Sequence, residues 1–187
     1  QDYSDVSLVV VRAPGTGHES SPPHPDFDTL EDLTIPVISM SRDLSYMGFD
    51  IASSGGSTSS TMIGIINDNT NPITCEYASG ENVDVYDSYY RSQYLRSLSS
   101  GVDGLVYFGG GSTSLINWEL AVYEESVSSN PGLRIHFGFV YGNELTSEGV
   151  NLFERTVRYA RGESLTCPSC SLSSASISAN CGGDGVC

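Results

Sequence analysis

The sequence predicts an α/β domain built on a mostly parallel sheet with few helices, and a cysteine-rich tail behind it. Three stretches carry that reading. Residues 133–141, LRIHFGFVY, alternate, with Leu133, Ile135, Phe137, Phe139 and Tyr141 on one face and Arg134, His136 and Gly138 on the other. A period of two with aromatic and branched side chains is that of a core strand. Immediately afterwards the period becomes helical. Val150, Phe153, Val157 and Ala160 recur along one stripe, Thr146 or Ser147 is placed to cap the start, and Glu148 lies in the first turn. Arg155, Arg158 and Arg161 gather toward the other end, Glu154 and Arg158 form an i,i+4 pair, and Gly162 stops the helix. The third stretch is SLVVVR, residues 7–12, a short apolar run of the kind buried on both faces of a sheet.

Between these stretches the elements follow in order. Residues 13–28 contain four Pro and two Gly and read as a loop. Residues 29–33 add at most a helical turn. TIPVISM, 34–40, is a strand with Pro36 near its start, where a missing N–H is tolerated. Ser41 caps a short helix, RDLSYMGF. The Ser/Gly run 53–60 reads as an exposed flexible loop. MIGIIN (62–67) and NVDVYD (82–87) are strands, and residues 88–98 are helical or irregular. GLVYF (104–108) is a strand ended by three glycines, and INWELAVYEES (116–126) reads as a strand antiparallel to it. Two units result: an α/β domain over 1–162 and a Ser/Gly/Cys-rich tail over 163–187.

Composition narrows the function classes. The 187 residues carry a formal charge of −15, and all eight basic residues are Arg. Nucleic acid and anionic membrane surfaces need basic partners and are excluded. No apolar run reaches the 18 or more residues of a membrane-spanning helix. An acidic, Lys-free, Ser- and Gly-rich chain suits an extracellular setting. The chain opens on Gln1 without a signal-like segment, which reads as a processed N-terminus.

IPVI followed by a short helix, MIGIINDNTNPIT, the pair GLVYFGGG and WELAVYEES, and RIHFGFVY with its closing helix together resemble the ThuA-like group of class I glutamine-amidotransferase-like domains. The resemblance covers roughly residues 3–162. It implies a Rossmann/flavodoxin-like three-layer architecture that lacks the opening β-α-β portion, because only six residues precede SLVVVR. The chain has Asn71-Pro72 where the family tends to carry His-Pro, and no Cys follows a strand in the tight turn of the amidotransferase nucleophile. The family's catalytic residues are therefore absent.

Other constellations are weaker. Gly110-Gly111-Ser112-Thr113-Ser114 follows a strand like a nucleophile elbow, with His136 as a base and Asp103 as its orienter. The motif's second Gly is replaced by Ser114 and a strand follows instead of a helix, so a Gly-rich turn is the better reading. His18, Glu19, His24, Asp26 and Asp28 are of metal-ligand types at a spacing that matches no known site. Asp68-Asn69-Thr70-Asn71 is explained by Asx turns. Neither a metal nor a cofactor is assigned.

Cysteines form the strongest local signal. Cys167, Cys170, Cys181 and Cys187 fall in a segment with almost no core of its own, the setting in which disulfides replace burial. Four Cys allow three connectivities. Cys75 is left over, as a buried thiol or as the partner of a tail Cys in the same or another chain. There is no N-x-S/T sequon, so any glycan is O-linked, with 53–61 and 171–178 as candidate regions.

These features predict a secreted, non-catalytic subunit that binds copies of itself head to tail in a filament. Leu8, Val9, Val10 and Val11 form the receiving strand, and the tail residues Leu172 and Ile177 belong to a donated one. A hydrolase or carbohydrate-acting domain, and a passive sugar- or surface-binding module, are the alternatives.

Overall fold

The computed structural model describes residues 5–12, 27–61, 63–87, 90–108, 116–124, 131–139 and 144–168. They form a mixed nine-stranded sheet with few helices. The strands are β1 Val9–Val11, β2 Val37–Ser39, β3 Ala52–Thr61, β4 Ile63–Ile66, β5 Asn82–Asp84, β6 Tyr90–Leu98, β7 Val102–Phe108, β8 Asn117–Tyr123 and β9 Arg134–Phe137. Two helices, α1 (Phe27–Glu31) and α2 (Ser147–Ala160), and one π-helical turn (Leu44–Gly48) complete the described elements.

The sheet runs β1-β2-β9-β8-β7-β4-β5, with β6 joining β8 and β3 joining β6 off that path. Only β1–β2 and β2–β9 are parallel; every other pairing is antiparallel. The expected mostly parallel sheet is thus corrected. Consecutive segments such as GLVYF and WELAVY lie close enough in the chain to pair directly, with β7 against β8 from Val102↔Tyr123 to Phe108↔Asn117. Direct return makes an antiparallel pair without a crossover helix.

Both faces of the sheet are covered. On one, α2 lays Leu152 and Ala160, with Phe153 and Val157, onto Ile38, Ile66, Leu120, Val122, Ile135 and Phe137. The predicted cap holds: Thr146 accepts from the Gly149 amide at 3.1 Å, and Gly162, at φ +69°, follows the helix end. The other face buries Val37, Leu44, Phe49, Ile51, Leu95 and Ala121 beneath the π-turn and the β3–β6 ribbon. That ribbon replaces two expectations, a loop at 53–60 and a helix or irregular stretch at 88–98. Its small residues make room for large cross-strand partners: a Cβ on Gly56 would lie 2.4 Å from the Tyr94 ring, and one on Gly55 2.8 Å from the Tyr94 carbonyl oxygen. The Ser/Gly run is a strand because β6 is aromatic.

SLVVVR is shorter and more open than expected. Val9 and Val11 pack toward the ribbon side and Leu8 toward the α2 side, while Val10 is 44% exposed. Among the described residues β1 ends the strand order, so the run is an edge strand and is not buried on both faces. No described helix is long and apolar enough to cross a membrane.

Candidate functional site

The parallel strands β2 and β9 end together, and their carboxyl ends meet a buried polar group built from four directions. Ser39 comes from β2, Ser41 and Ser45 from the chain entering the π-turn, His136 from β9, and Ser92 and Gln93 from β6. Ser39, Ser45, Ser92 and His136 are fully buried. The carboxyl ends of parallel strands are where α/β sheets place their sites.

His136 is held at both nitrogens. Nε2 lies 2.9 Å from the Gln93 carbonyl oxygen and Nδ1 2.9 Å from Ser45 Oγ. A carbonyl only accepts, so Nε2 carries the proton. Burial lowers the imidazole pKa to about 4, partly countered by the Gln93 carbonyl. The ring is therefore neutral at pH 7, Nδ1 is an acceptor, and Ser45 donates to it. The same hydroxyl also donates to the Ser41 carbonyl at 2.8 Å, so its single hydrogen is shared between that carbonyl and Nδ1. The result has the parts of a nucleophile–base–orienter chain: Ser45, His136 and the Gln93 carbonyl.

This is not the triad that the sequence suggested. Asp103 pairs in register with Val122 and acts on Tyr159 of α2, on the opposite side of the sheet from His136. Gly110, Gly111, Ser112, Thr113 and Ser114 lie outside the described residues. Arg134 and His136, expected on the polar face of their strand, are fully buried, because the ribbon and the π-turn cover that face.

Glu119 completes the group and was not singled out in the sequence. It lies on β8 where the strand passes from β9 to β6: Leu120 faces Phe137, while Trp118 faces Leu95. Its own carbonyl accepts from the Gly138 amide at 2.6 Å, and the Gly138 carbonyl accepts from the Gln93 amide at 2.9 Å. The carboxyl is fully buried. The Ser92 hydroxyl lies close enough to favour ionisation, yet among the described residues no donor reaches either oxygen in hydrogen-bond geometry. Burial wins, and the pKa rises to about 8. At neutral pH the group is a protonated acid. A Glu inside the run WELAVY gives no sequence signal for this, since alternation alone places it on a face that could be wet.

A second polar group lies on the α2 side. Tyr159 donates to Glu124 Oε1, and burial, then this carboxylate, raise its pKa. Asn71, which stands where the resembled family has His, takes the Ile73 amide on Oδ1 at 2.9 Å in an Asx turn. Asp68 does the same for the Thr70 amide at 2.8 Å, as expected for that stretch.

Among the described residues no group of three or more His, Cys, Asp or Glu could hold a metal ion. Of the loop ligand candidates, His18, Glu19, His24 and Asp26 lie outside the described residues, and Asp28 is in α1.

Cys75 and Cys167 form a disulfide. The leftover cysteine is thus joined to the first cysteine of the tail. Cys170, Cys181 and Cys187, with Leu172 and Ile177, lie outside the described residues. The chain matches no family model and no curated protein.

Proposed function

We propose that the chain is an extracellular, non-catalytic structural subunit that joins copies of itself head to tail. The observation that carries this reading is the unequal treatment of the two ends of the sheet. At β5 the outward backbone of Asp84 is occupied, its amide donating to Glu148 Oε2 at 2.9 Å and its carbonyl accepting from Thr146 Oγ1. Among the described residues β1 is last in the strand order at the other end, and its Val10 is 44% exposed. An edge strand is a template for another strand. The capped β5 is a poor counterpart for it, so the donor in this reading is the alternating segment SLSSASISA of a neighbour, carrying Leu172 and Ile177. A contact between two different patches does not close on itself and propagates.

Each large apolar side chain covered in this way contributes roughly 1.5–3 kcal/mol. A few of them offset the loss of free motion on association, about 4–15 kcal/mol. The Cys75–Cys167 disulfide and the Lys-free acidic composition favour the extracellular setting. O-linked glycans on exposed Ser53 and Ser54 fit the same setting. The parallel trio β1-β2-β9 followed by α2 favours descent from a ThuA-like, flavodoxin-like domain.

A hydrolase of that superfamily is the second reading, and Ser45 beside His136 is the observation that favours it. Against it, both residues are fully buried.

Sedimentation velocity and negative-stain microscopy over a concentration series test the first reading. The expected result is filaments, with Val10→Pro and deletion of residues 171–187 each giving monomers or disordered aggregates. A monodisperse monomer at all concentrations would overturn it, and esterase or amidase activity lost in Ser45→Ala would favour the second.

A further inference from the structure

The two sulfurs of the disulfide sit in different surroundings. Cys167 is exposed, whereas Cys75 is half-buried against α2. Arg155, whose side chain is only 6% exposed, places Nη2 3.1 Å from Cys75 Sγ. The guanidinium is fixed before any reaction begins. Nε donates to the Ile73 carbonyl at 2.9 Å, Nη2 also donates to the Pro72 carbonyl, and Nη1 donates to Glu76 Oε1 at 2.5 Å. Glu76 is held in turn by Asn151 at 3.0 Å.

We propose that Cys75–Cys167 is a directional thiol-exchange site, at which a small-molecule thiolate attacks the Cys167 sulfur and Cys75 departs as a thiolate against Arg155. Exchange runs by thiolate attack on one sulfur of the bond, and its rate rises with the stability of the leaving thiolate. A disulfide sulfur is a weak acceptor; a departing thiolate is a strong one. The N–H already aimed at Cys75 therefore binds the leaving sulfur more tightly than the intact bond, and a cation beside a sulfur favours its ionised form. The opposite direction would release a thiolate at Cys167, in open solvent, with attack directed at the half-buried sulfur.

The step balances without an oxidant. The incoming thiol gives its proton to solvent, and its sulfur bonds to Cys167 Sγ. The Cys75–Cys167 bond breaks, and its electron pair remains on Cys75. One disulfide replaces another, and the segment following α2 is freed from the loop that carries Cys75. The exposed Glu76 carboxylate competes for the same guanidinium and restrains the step. None of this requires self-assembly.

The test uses the full chain with Cys170→Ser, Cys181→Ser and Cys187→Ser, leaving two cysteines to report. The folded protein is incubated with glutathione at neutral pH, acid-quenched, alkylated and mapped by peptide mass. The expected product carries glutathione on Cys167 and the alkyl label on Cys75, at least tenfold over the reverse. Glu76→Gln is expected to speed the reaction severalfold. Equal labelling, the reverse pattern, reaction only after unfolding, or an unchanged rate in Glu76→Gln would overturn the proposal.

Discussion

Around its buried arginines the chain brings acceptors to the side chain; around its buried glutamate no described donor reaches a carboxyl oxygen in hydrogen-bond geometry. Arg134 is fully buried, and its guanidinium donates to the carbonyls of Leu30, Glu31, Leu33, Ile35 and Leu133 at 2.6–3.3 Å while lying 4.9 Å from the centre of the Phe49 ring. Arg155 is served in the same way by a turn and by Glu76. In both places carbonyls of a turn or of a helix end wrap the cation, and at Arg134 the Leu133 carbonyl, which also accepts from the Val37 amide, joins them. Glu119 sits between strands whose amides are spent on pairing, the Ser92 hydroxyl offsets burial only in part, and the carboxyl stays protonated. The difference teaches that a fold can bury a charge where helix ends and turns offer it partners, and only a neutral acid where strand pairing uses the backbone up.

The largest effect expected from this contrast is at Arg134. Arg134→Met removes the donor from several half-buried carbonyls at once, each costing about 1–3 kcal/mol. Urea unfolding should show a loss of more than about 4 kcal/mol. A loss under about 1 kcal/mol would mean that the carbonyls find other donors, and the contrast would collapse.

Glu119→Gln should move stability the other way. The native pKa of about 8 lies above the unfolded value, so folding binds a proton at pH 7. Keeping that proton costs about 1.4 kcal/mol per pH unit above the unfolded pKa. An uncharged isostere should therefore gain about 3 kcal/mol at pH 7. A destabilised variant would show instead that the carboxyl is ionised and served by a donor.

The pH profile sharpens the same point. Glu119 contributes stability that is complete below about pH 4.5 and lost as pH rises toward about 8. His136, with its pKa lowered from 6.5 to about 4, contributes stability complete above 6.5 and lost as pH falls toward 4. The two slopes oppose between 4.5 and 6.5, and above 6.5 only that of Glu119 remains. Stability should fall by about 2 kcal/mol between pH 6.5 and 8 in the parent and stay flat in Glu119→Gln.

The smallest effect belongs to a neutral donor already served by backbone. Thr146→Ala removes the cap of α2 and the bond to Asp84 of β5, and thermal unfolding should show a loss of about 1 kcal/mol.

The sequence carried β9 and α2 plainly, because alternation and helical spacing there are long and clean and the cap is a short-range device. β2, β4, β7 and β8 were legible for the same reason. The β3–β6 ribbon was not: the Ser and Gly that dominate β3 have little strand propensity, its few Thr are too sparse to announce a strand, and the Tyr94 ring across from Gly56 needs the small residue there. Half of the polar group was also hidden. His136 could be noticed as a histidine beside core residues, but Ser45 and Gln93 are brought to it from residues 91 and 43 positions away. Glu119 is legible only once both faces of β8 are known to be covered.

The parallel trio has a consequence for how the chain folds. Val37 pairs with Arg134, and Val9 with Val37, so β1 and β2 have no seat in the sheet until β9 is in place. The segments between them close on nearer neighbours, β7 on β8 and β8 on β9. Assembly should therefore start in the C-terminal half, with the antiparallel meander and α2 forming early. The first forty residues wait, and contacts of such long sequence separation are formed slowly. During synthesis the apolar valines of β1 and β2 emerge first and dock last, which makes them the stretch most in need of protection from neighbouring chains.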